Sequence, residues 1–69
     1  MMQEIEVTAV IKTTDGKTET KKFTDEINAA YSRKKIRQFV RSDLYQNTKK
    51  IKTVVSLNIR EEAEIYGNN

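Results

Sequence analysis

The stretch that decides the fold is residues 4–12, which read Glu-Ile-Glu-Val-Thr-Ala-Val-Ile-Lys. Apolar side chains occupy every second position from Ile5 to Ile11, and polar side chains fill most of the positions between them. An alternation with a period of two is typical of a strand with one buried and one exposed face. The sequence therefore predicts a strand over residues 4–12.

A turn follows at residues 14–16, Thr-Asp-Gly, because glycine adopts a positive φ without steric cost. A two-residue turn would leave Phe23 on the exposed face of the second strand. A three-residue turn, with Gly16 in the left-handed conformation, would pair Val7 with Phe23 and bury its ring. We favour the three-residue turn. The second strand, residues 17–23, is otherwise made of Thr, Glu and Lys, which is typical of a charge-protected sheet edge.

Residues 25–46 are predicted to form the helix that covers the sheet. Thr24 is expected to be its N-cap, followed by two acidic residues near the positive end of the helix dipole. Ile27 lies off the apolar arc and is expected to act only at the helix entry. In the alternative, Ser32 caps a second helix and residues 25–31 form a separate short turn. At 100° per residue the predicted core face consists of Ala29, Ile36, Phe39, Val40 and Leu44.

The third strand is predicted over residues 50–60. Val54 is expected to face outward as an exception, and the buried row is expected to hold Ile51, Thr53, Val55, Leu57 and Ile59. Since the alternation continues weakly beyond residue 60, the strand either extends to residue 66, past its partners, or gives way to a frayed acidic tail. Residues 67–69 are predicted to be disordered.

These elements predict an α+β fold of the ββαβ type, with one helix packed on a three-stranded antiparallel sheet. The hairpin places the second strand beside the first, and the third strand returns on the other side of the first. The strand order is therefore expected to be 2-1-3. Residues 1–69 are predicted to form a single domain, since a chain of 69 residues is close to the lower size for independent folding.

The composition disfavours several classes of function. The chain has no Cys, no His and two Gly, so it lacks the usual metal ligands, the commonest general base and a glycine-rich phosphate loop. We therefore expect no catalytic residues, no metal and no cofactor, and hence no enzyme. No apolar run approaches the ~20 residues of a membrane span. Without cysteines or a secretory signal, a cytoplasmic location is expected.

The charge is distributed unevenly along the chain. Residues 33–52 hold eight basic residues and one acidic residue, Asp43, a net charge of +7, whereas the whole chain carries +3. In the predicted helix Arg33, Arg37 and Arg41 repeat every four residues and form a stripe. Since a surface built only for solubility usually mixes both signs, this basic stretch and the tyrosines beside it form the candidate site. Its candidate residues are Tyr31, Arg33, Lys34, Arg37, Gln38, Arg41, Tyr45, Lys49, Lys50 and Lys52.

Two functions are compatible with this pattern, beside a solvated helix face that binds nothing. The first is a small protein-interaction or accessory module, with either an unidentified protein partner or a homodimer formed through the 50–66 strand. The alternative is a nucleic-acid-binding accessory protein. Its basic helix face would contact the phosphate backbone with weak sequence selectivity, and its tyrosines would offer stacking surfaces.

Overall fold

A computed structural model describes residues 1–66. It contains a three-stranded antiparallel sheet in the order β2-β1-β3, and the main helix packs against one face of that sheet. The predicted fold class is therefore confirmed, while the prediction for residues 67–69 lies outside the described residues. The elements are β1 (Met2–Thr13), β2 (Thr18–Asn28), α1 (Arg33–Asn47), β3 (Ile51–Glu61) and α2 (Glu62–Ile65).

The hairpin between β1 and β2 has the predicted register. Val7 lies opposite Phe23, and Gly16 adopts a φ of 88°. The Thr13 N–H donates to the Lys17 carbonyl over 2.8 Å, which closes a three-residue turn. Within the turn the Thr13 hydroxyl donates to the carboxylate of Asp15. The three-residue turn places the Phe23 ring against the core, where it is half-buried.

The boundary between β2 and α1 differs from the prediction. Residues 24–28 belong to β2 instead of beginning the helix, and Ile27 is a core residue with 2% of its surface exposed. The physical reason is that β1 begins at Met2, so its first residues offer backbone partners as far as Asn28. The Thr-Asp-Glu sequence has the composition of a helix start, but continued pairing with β1 keeps these residues extended.

The helix begins where the alternative prediction placed its cap. The Ser32 hydroxyl accepts a hydrogen bond from the Lys35 N–H over 3.2 Å, as an N-cap side chain does. Residues 25–31 are nevertheless not one short turn, because the strand runs to Asn28. There the side-chain carbonyl of Asn28 accepts from the Ala30 N–H over 2.8 Å, which turns the chain toward α1.

The core face of α1 is narrower than predicted. Ile36, Val40 and Leu44 are buried, with at most 4% of their surfaces exposed. Phe39 is 42% exposed, and Ala29 is exposed in the turn before the helix. Both were predicted to be core residues. Ile27 of β2 is buried instead, so a residue of the sheet fills the part of the core that the start of the predicted helix was expected to fill.

The register of β3 against β1 shifts twice through β-bulges. At the first shift Ser56 and Val54 lie opposite consecutive residues of β1, so Val55 is the extra residue. Val54 is consequently 7% exposed and Val55 59% exposed. The prediction that Val55 is buried and Val54 exposed is therefore wrong. Thr53, opposite Lys12, also leaves the buried row for the open face of the sheet.

The third strand does not extend to residue 66. β3 ends at Glu61, and α2 follows at once. The Glu61 N–H donates to the Glu64 carboxylate over 2.9 Å, which closes the first helical turn. The turn is tied to β1, since the Glu62 carboxylate accepts from the Glu4 N–H over 2.9 Å. These bonds favour a helical turn over continued strand, so a homodimer that needs the strand to continue beyond residue 61 is not supported.

One buried layer between α1 and the sheet forms the core. Val7, Val40 and Ile11 lie near its centre with at most 1% of their surfaces exposed. The opposite face of the sheet carries mainly polar side chains. No helix within residues 1–66 is long and apolar enough to cross a membrane. The complete core comprises Ile5, Val7, Ala9, Ile11, Ile27, Ile36, Val40, Leu44, Val54 and Ile59.

Candidate functional site

Four of the predicted site residues lie together on the flank of α1 that faces β3. They repeat at spacings of three and four residues, which places them on one side of a helix. With Leu57 of β3 they line a shallow hollow of about 250 Å³. We call these four residues, Lys34, Arg37, Gln38 and Arg41, the basic face.

Arg37 joins the basic face to the free edge of β3. Its Nη1 donates to the Leu57 carbonyl over 3.1 Å. Leu57 lies opposite Ala9. In the hairpin, hydrogen-bonded pairs alternate with non-hydrogen-bonded pairs, and the bond from Thr13 to Lys17 shows that the odd-numbered residues of β1 bond to β2. The backbone N–H and C=O of Ala9 therefore point toward β2 and away from Leu57. The backbone N–H and C=O of Leu57 therefore point away from β1, and Arg37 donates to this outward carbonyl. This bond fixes the arginine beside the hollow.

Leu57 gives the hollow an apolar floor. Its side chain is half-buried and packs against the core, yet it lines the hollow together with the polar residues of α1. A partly covered aliphatic side chain next to three cations can receive an aliphatic group from a ligand whose charge is negative. From the sequence, Leu57 is predicted only as a member of the buried row of β3. Its alternation gave no sign of a role in the site, because access depends on where α1 crosses β3.

The electrostatics of the basic face are one-sided. Among residues 1–66 no carboxylate lies within 4.0 Å of the charged nitrogens of Lys34, Arg37 or Arg41; the ion pairs of the described chain involve Lys21, Arg33 and Arg60. Charges of one sign around a concave surface raise the local concentration of oppositely charged ligands. The basic face is therefore a region of positive potential available to an anionic partner.

Arg33 has different surroundings from the other cations of its predicted stripe. Its Nη1 lies 2.9 Å from a Glu61 oxygen and 3.3 Å from a Glu64 oxygen. The Glu61 N–H, together with Arg33, holds the pKa of Glu64 below its ordinary value. Arg33 thus ties the start of α1 to α2, and two carboxylates offset its charge. The sequence could not reveal this pairing because it joins residues about thirty positions apart.

The two tyrosines also have different environments. Tyr31 lies in the turn before α1, half-buried against the core, and the ammonium nitrogen of Lys35 sits 4.9 Å from the centre of its ring. Tyr45 is 44% exposed and continues the helix side of Arg41 by one more turn. Of the two, Tyr45 therefore has the more accessible ring on the helix side of Arg41.

The three later lysines lie beyond the C-terminal end of α1. Lys50 adopts a φ of 67°, and its carbonyl accepts from the Thr14 N–H over 2.8 Å, which pins this turn to the hairpin. Lys52 is the extra residue of the second bulge in β3. Lys49, Lys50 and Lys52 are all exposed. They add positive charge near the helix end without lining the hollow.

A second concave surface lies on the open face of the sheet. It has a volume of about 470 Å³ and contains an ion pair of 3.1 Å between Arg60 and Glu6. Since side chains of both signs line it, it lacks the single polarity of the basic face. Its remaining polar lining comes from Thr8, Lys22, Thr24 and Asn58.

Comparison of the chain with protein-family models, curated proteins and solved structures found no match. What the basic face can bind therefore follows from its own residues, their burial and their charges.

Proposed function

We propose that this protein is a small interaction module that binds an acidic segment of a partner protein on the basic face of α1. The observation that carries the proposal is the group of three cations without a carboxylate partner in residues 1–66, arranged beside the half-buried side chain of Leu57. Such a surface offers both charge and an apolar contact to one ligand.

The ligand chemistry follows from the two parts of the hollow. A guanidinium group presents a planar fork that matches a carboxylate with two hydrogen bonds, and Arg41 is exposed and able to do so. The Leu57 floor accepts an aliphatic or aromatic side chain, which a phosphate backbone does not supply. An acidic peptide with an apolar residue among its carboxylates fits both parts. Arginine is also enriched among the residues that dominate protein interfaces.

The test uses two fluorescein-labelled peptides, one of alternating Glu and Leu and one of alternating Glu and Ser, with fluorescence anisotropy as the readout. Both peptides have the same charge, so a preference for the Glu-Leu peptide measures the apolar floor. Arg41→Glu is expected to weaken binding of this peptide by about tenfold, or about 1.4 kcal/mol. Leu57→Ser is expected to remove the preference between the two peptides.

Lys12→Glu is the matched control, since it makes the same change in net charge on an exposed residue of β1. It should leave binding of the Glu-Leu peptide within about twofold, because long-range screened charge contributes little at physiological salt. Equal weakening by Lys12→Glu and Arg41→Glu would show attraction by net charge alone and would overturn the proposal. Circular dichroism of each variant establishes that the fold is retained.

Nucleic acid is the second candidate, favoured by the exposed ring of Tyr45 beyond Arg41. Base stacking on such a ring and phosphate contacts from Lys34, Arg37 and Arg41 would give binding with little sequence preference. Three phosphate contacts predict a log–log salt slope of about −2 to −3. With a labelled single-stranded oligonucleotide, Tyr45→Ala should then weaken binding, while Leu57→Ser should have no effect. That result with no binding of either peptide would favour this candidate.

A further inference from the structure

The outer edge of β2 carries backbone groups without a partner strand. β2 has eleven residues and pairs only with β1. At the two ends of the hairpin the Thr13 N–H donates to the Lys17 carbonyl and the Ala29 N–H donates to the Met1 carbonyl. These bonds show which residues of the hairpin form hydrogen-bonded pairs and which form non-hydrogen-bonded pairs. Odd-numbered residues of β2 therefore bond to β1, and the N–H and C=O groups of even-numbered residues point outward.

No other element covers this edge within residues 1–66. Within the described chain, no side chain or loop forms a hydrogen bond with the outward backbone groups of four residues of this edge, Thr18, Thr20, Lys22 and Thr24. The Glu26 N–H bonds only to the neighbouring Asp25 carboxylate, over 2.8 Å. Long open edges are templates for pairing with a further strand, and the charged side chains on such an edge oppose pairing unless the incoming strand carries complementary charges.

We propose that β2 pairs antiparallel with β2 of a second copy of this chain, with the two-fold axis at Phe23. Directly opposite residues then have numbers that add to 46, so Lys21 of each copy faces Asp25 of the other. Two ion pairs form symmetrically across the axis. The proposed dimer is a continuous six-stranded sheet with both α1 helices on the same face.

The charges of β2 and its one aromatic ring together favour this register over its neighbours. Moving the axis to Lys22 places the two Lys22 side chains opposite each other and sets Glu19 against Asp25. Moving it to Thr24 pairs Lys22 with Glu26 on the open face of the sheet, but it places Phe23 opposite Asp25 and leaves Lys21 with only Glu19 of its own chain, 3.3 Å away. Like charges directly opposite each other destabilise a strand pair, whereas opposite charges and aromatic pairs stabilise it. Only the axis at Phe23 provides both the aromatic pair and the two Lys21–Asp25 pairs.

Aromatic side chains near the axis give the second copy apolar surface to cover. Phe23 is half-buried and shares a hollow of about 230 Å³ with Asp43 of α1. Phe39 is four residues before Asp43, hence on the same flank of the helix, and is 42% exposed. The backbone of Phe23 bonds to β1, so it cannot also bond across the new edge. The two Phe23 residues would therefore form a non-hydrogen-bonded pair, in which opposite side chains lie closer together.

The ion pair also releases a backbone group that the ladder needs. In the single chain the Asp25 carboxylate accepts from the Glu26 N–H. In the dimer the carboxylate turns to Lys21 of the second copy, and the Glu26 N–H becomes free to bond across the edge to Thr20. The basic face lies on the opposite flank of α1, toward β3, and stays exposed. The dimer and the proposed function can therefore fail independently.

Sedimentation velocity of the full chain tests the pairing, at concentrations from about 1 μM to about 1 mM, a range that spans weak and moderate dissociation constants. The expected dimer has twice the 8.0 kDa mass of one chain. Lys21→Glu alone and Asp25→Lys alone each place like charges opposite each other. Each should raise the dimer dissociation constant roughly tenfold to thirtyfold. The double variant Lys21→Glu with Asp25→Lys restores opposite charges and should restore the dimer.

A second variant keeps the test decisive if a charge change disturbs folding. Thr24→Pro removes an N–H that points to the open edge, so it spares the β1 ladder and should abolish the dimer while the fold persists in circular dichroism. A monomer throughout the concentration range would overturn the proposal. So would a dimer that both single charge variants leave unchanged, or one that the double variant fails to restore.

Discussion

The two edge strands of the sheet differ in what lies beside them. Along β3, Arg37 donates to the outward Leu57 carbonyl, and two bulges interrupt the ladder. Along β2 the ladder with β1 is regular from Thr18 to Asn28, and its outer side is open. An interrupted and partly covered edge discourages the addition of a strand, whereas a regular open edge favours it. The comparison teaches that the two edges suit different partners. Beside β3, side chains are available to a ligand, whereas β2 has backbone N–H and C=O groups available to a further strand.

The largest effect is expected from the bulge that distinguishes β3. Val54→Asp places a carboxylate in the core, which should lower the free energy of unfolding by about 3–5 kcal/mol or prevent folding. Val55→Asp changes an exposed side chain one position away and should alter it by less than about 0.5 kcal/mol. Urea unfolding followed by circular dichroism measures both. Equal effects of the two substitutions would contradict the bulged register.

The far end of β2 is tested by shortening a core side chain there. Ile27→Ala should lower the free energy of unfolding by about 2–4 kcal/mol, because Ile27 is a buried member of the core. The exposed Thr24 is the control, and Thr24→Ala should cost well under 1 kcal/mol. The same urea titration gives both values. A small effect at Ile27 would mean that β2 ends earlier and that its open edge is shorter.

The cover on β3 is tested by removing its hydrogen bond. Arg37→Met keeps much of the side-chain length but leaves the Leu57 carbonyl without this donor, and should cost about 0.5–1.5 kcal/mol. Lys34→Met, on the same flank without such a bond, is the control for lost charge. If loss of this bond allows the edge of β3 to pair with a strand of another copy, sedimentation will show species larger than a dimer for Arg37→Met but not for Lys34→Met. Identical behaviour of both variants would mean that Arg37 does not protect the edge.

The smallest effect concerns carboxyls at one end of each edge strand. The Thr13 hydroxyl lowers the pKa of Asp15 before β2, and the Glu61 N–H lowers the pKa of Glu64 after β3. A carboxyl whose pKa is lower in the folded chain contributes stability above its unfolded value, and loses it as the pH falls through the folded value. Stability should therefore decline below about pH 4.

Carboxyl titration by NMR measures the two pKa values directly. Asp15→Asn and Glu64→Gln should each flatten part of the decline in stability on acidification, since neither variant can gain a proton at that position. If both carboxyls titrate at their ordinary values in the folded protein, the hydrogen bonds at the two strand ends are weaker than the structure indicates.

The sequence predicted those features that depend on local pattern. The alternation around Val7 and the glycine at position 16 gave the hairpin register. The four-residue repeat placed Arg37 and Arg41 on one exposed helix face, although Arg33, the first member of that repeat, pairs with carboxylates instead. Features set by distant residues were missed. The length of β2 depends on partners at the start of β1, so the cap-like residues 24–26 were misleading.

A bulge leaves no mark in composition, because shifting one residue merely changes which of two neighbouring valines is buried. The pairing of Arg33 with Glu61 and Glu64 was equally hidden, since it required the strand to end and the short helix to form. The Glu-x-x-Glu spacing at residues 61–64 was the one local signal for that turn. Leu57 joined the candidate site only when the position of α1 over β3 was known.

Amide NMR of the full chain during titration with the Glu-Leu peptide tests the central claim most directly. The predicted result is that shifts concentrate at Lys34, Arg37, Gln38, Arg41 and Leu57, while the outward residues of β2 respond to protein concentration and not to the peptide. Shifts centred on the open face of the sheet or on the edge of β2, or no saturable shifts at low salt, would contradict the assignment of the basic face as the binding surface.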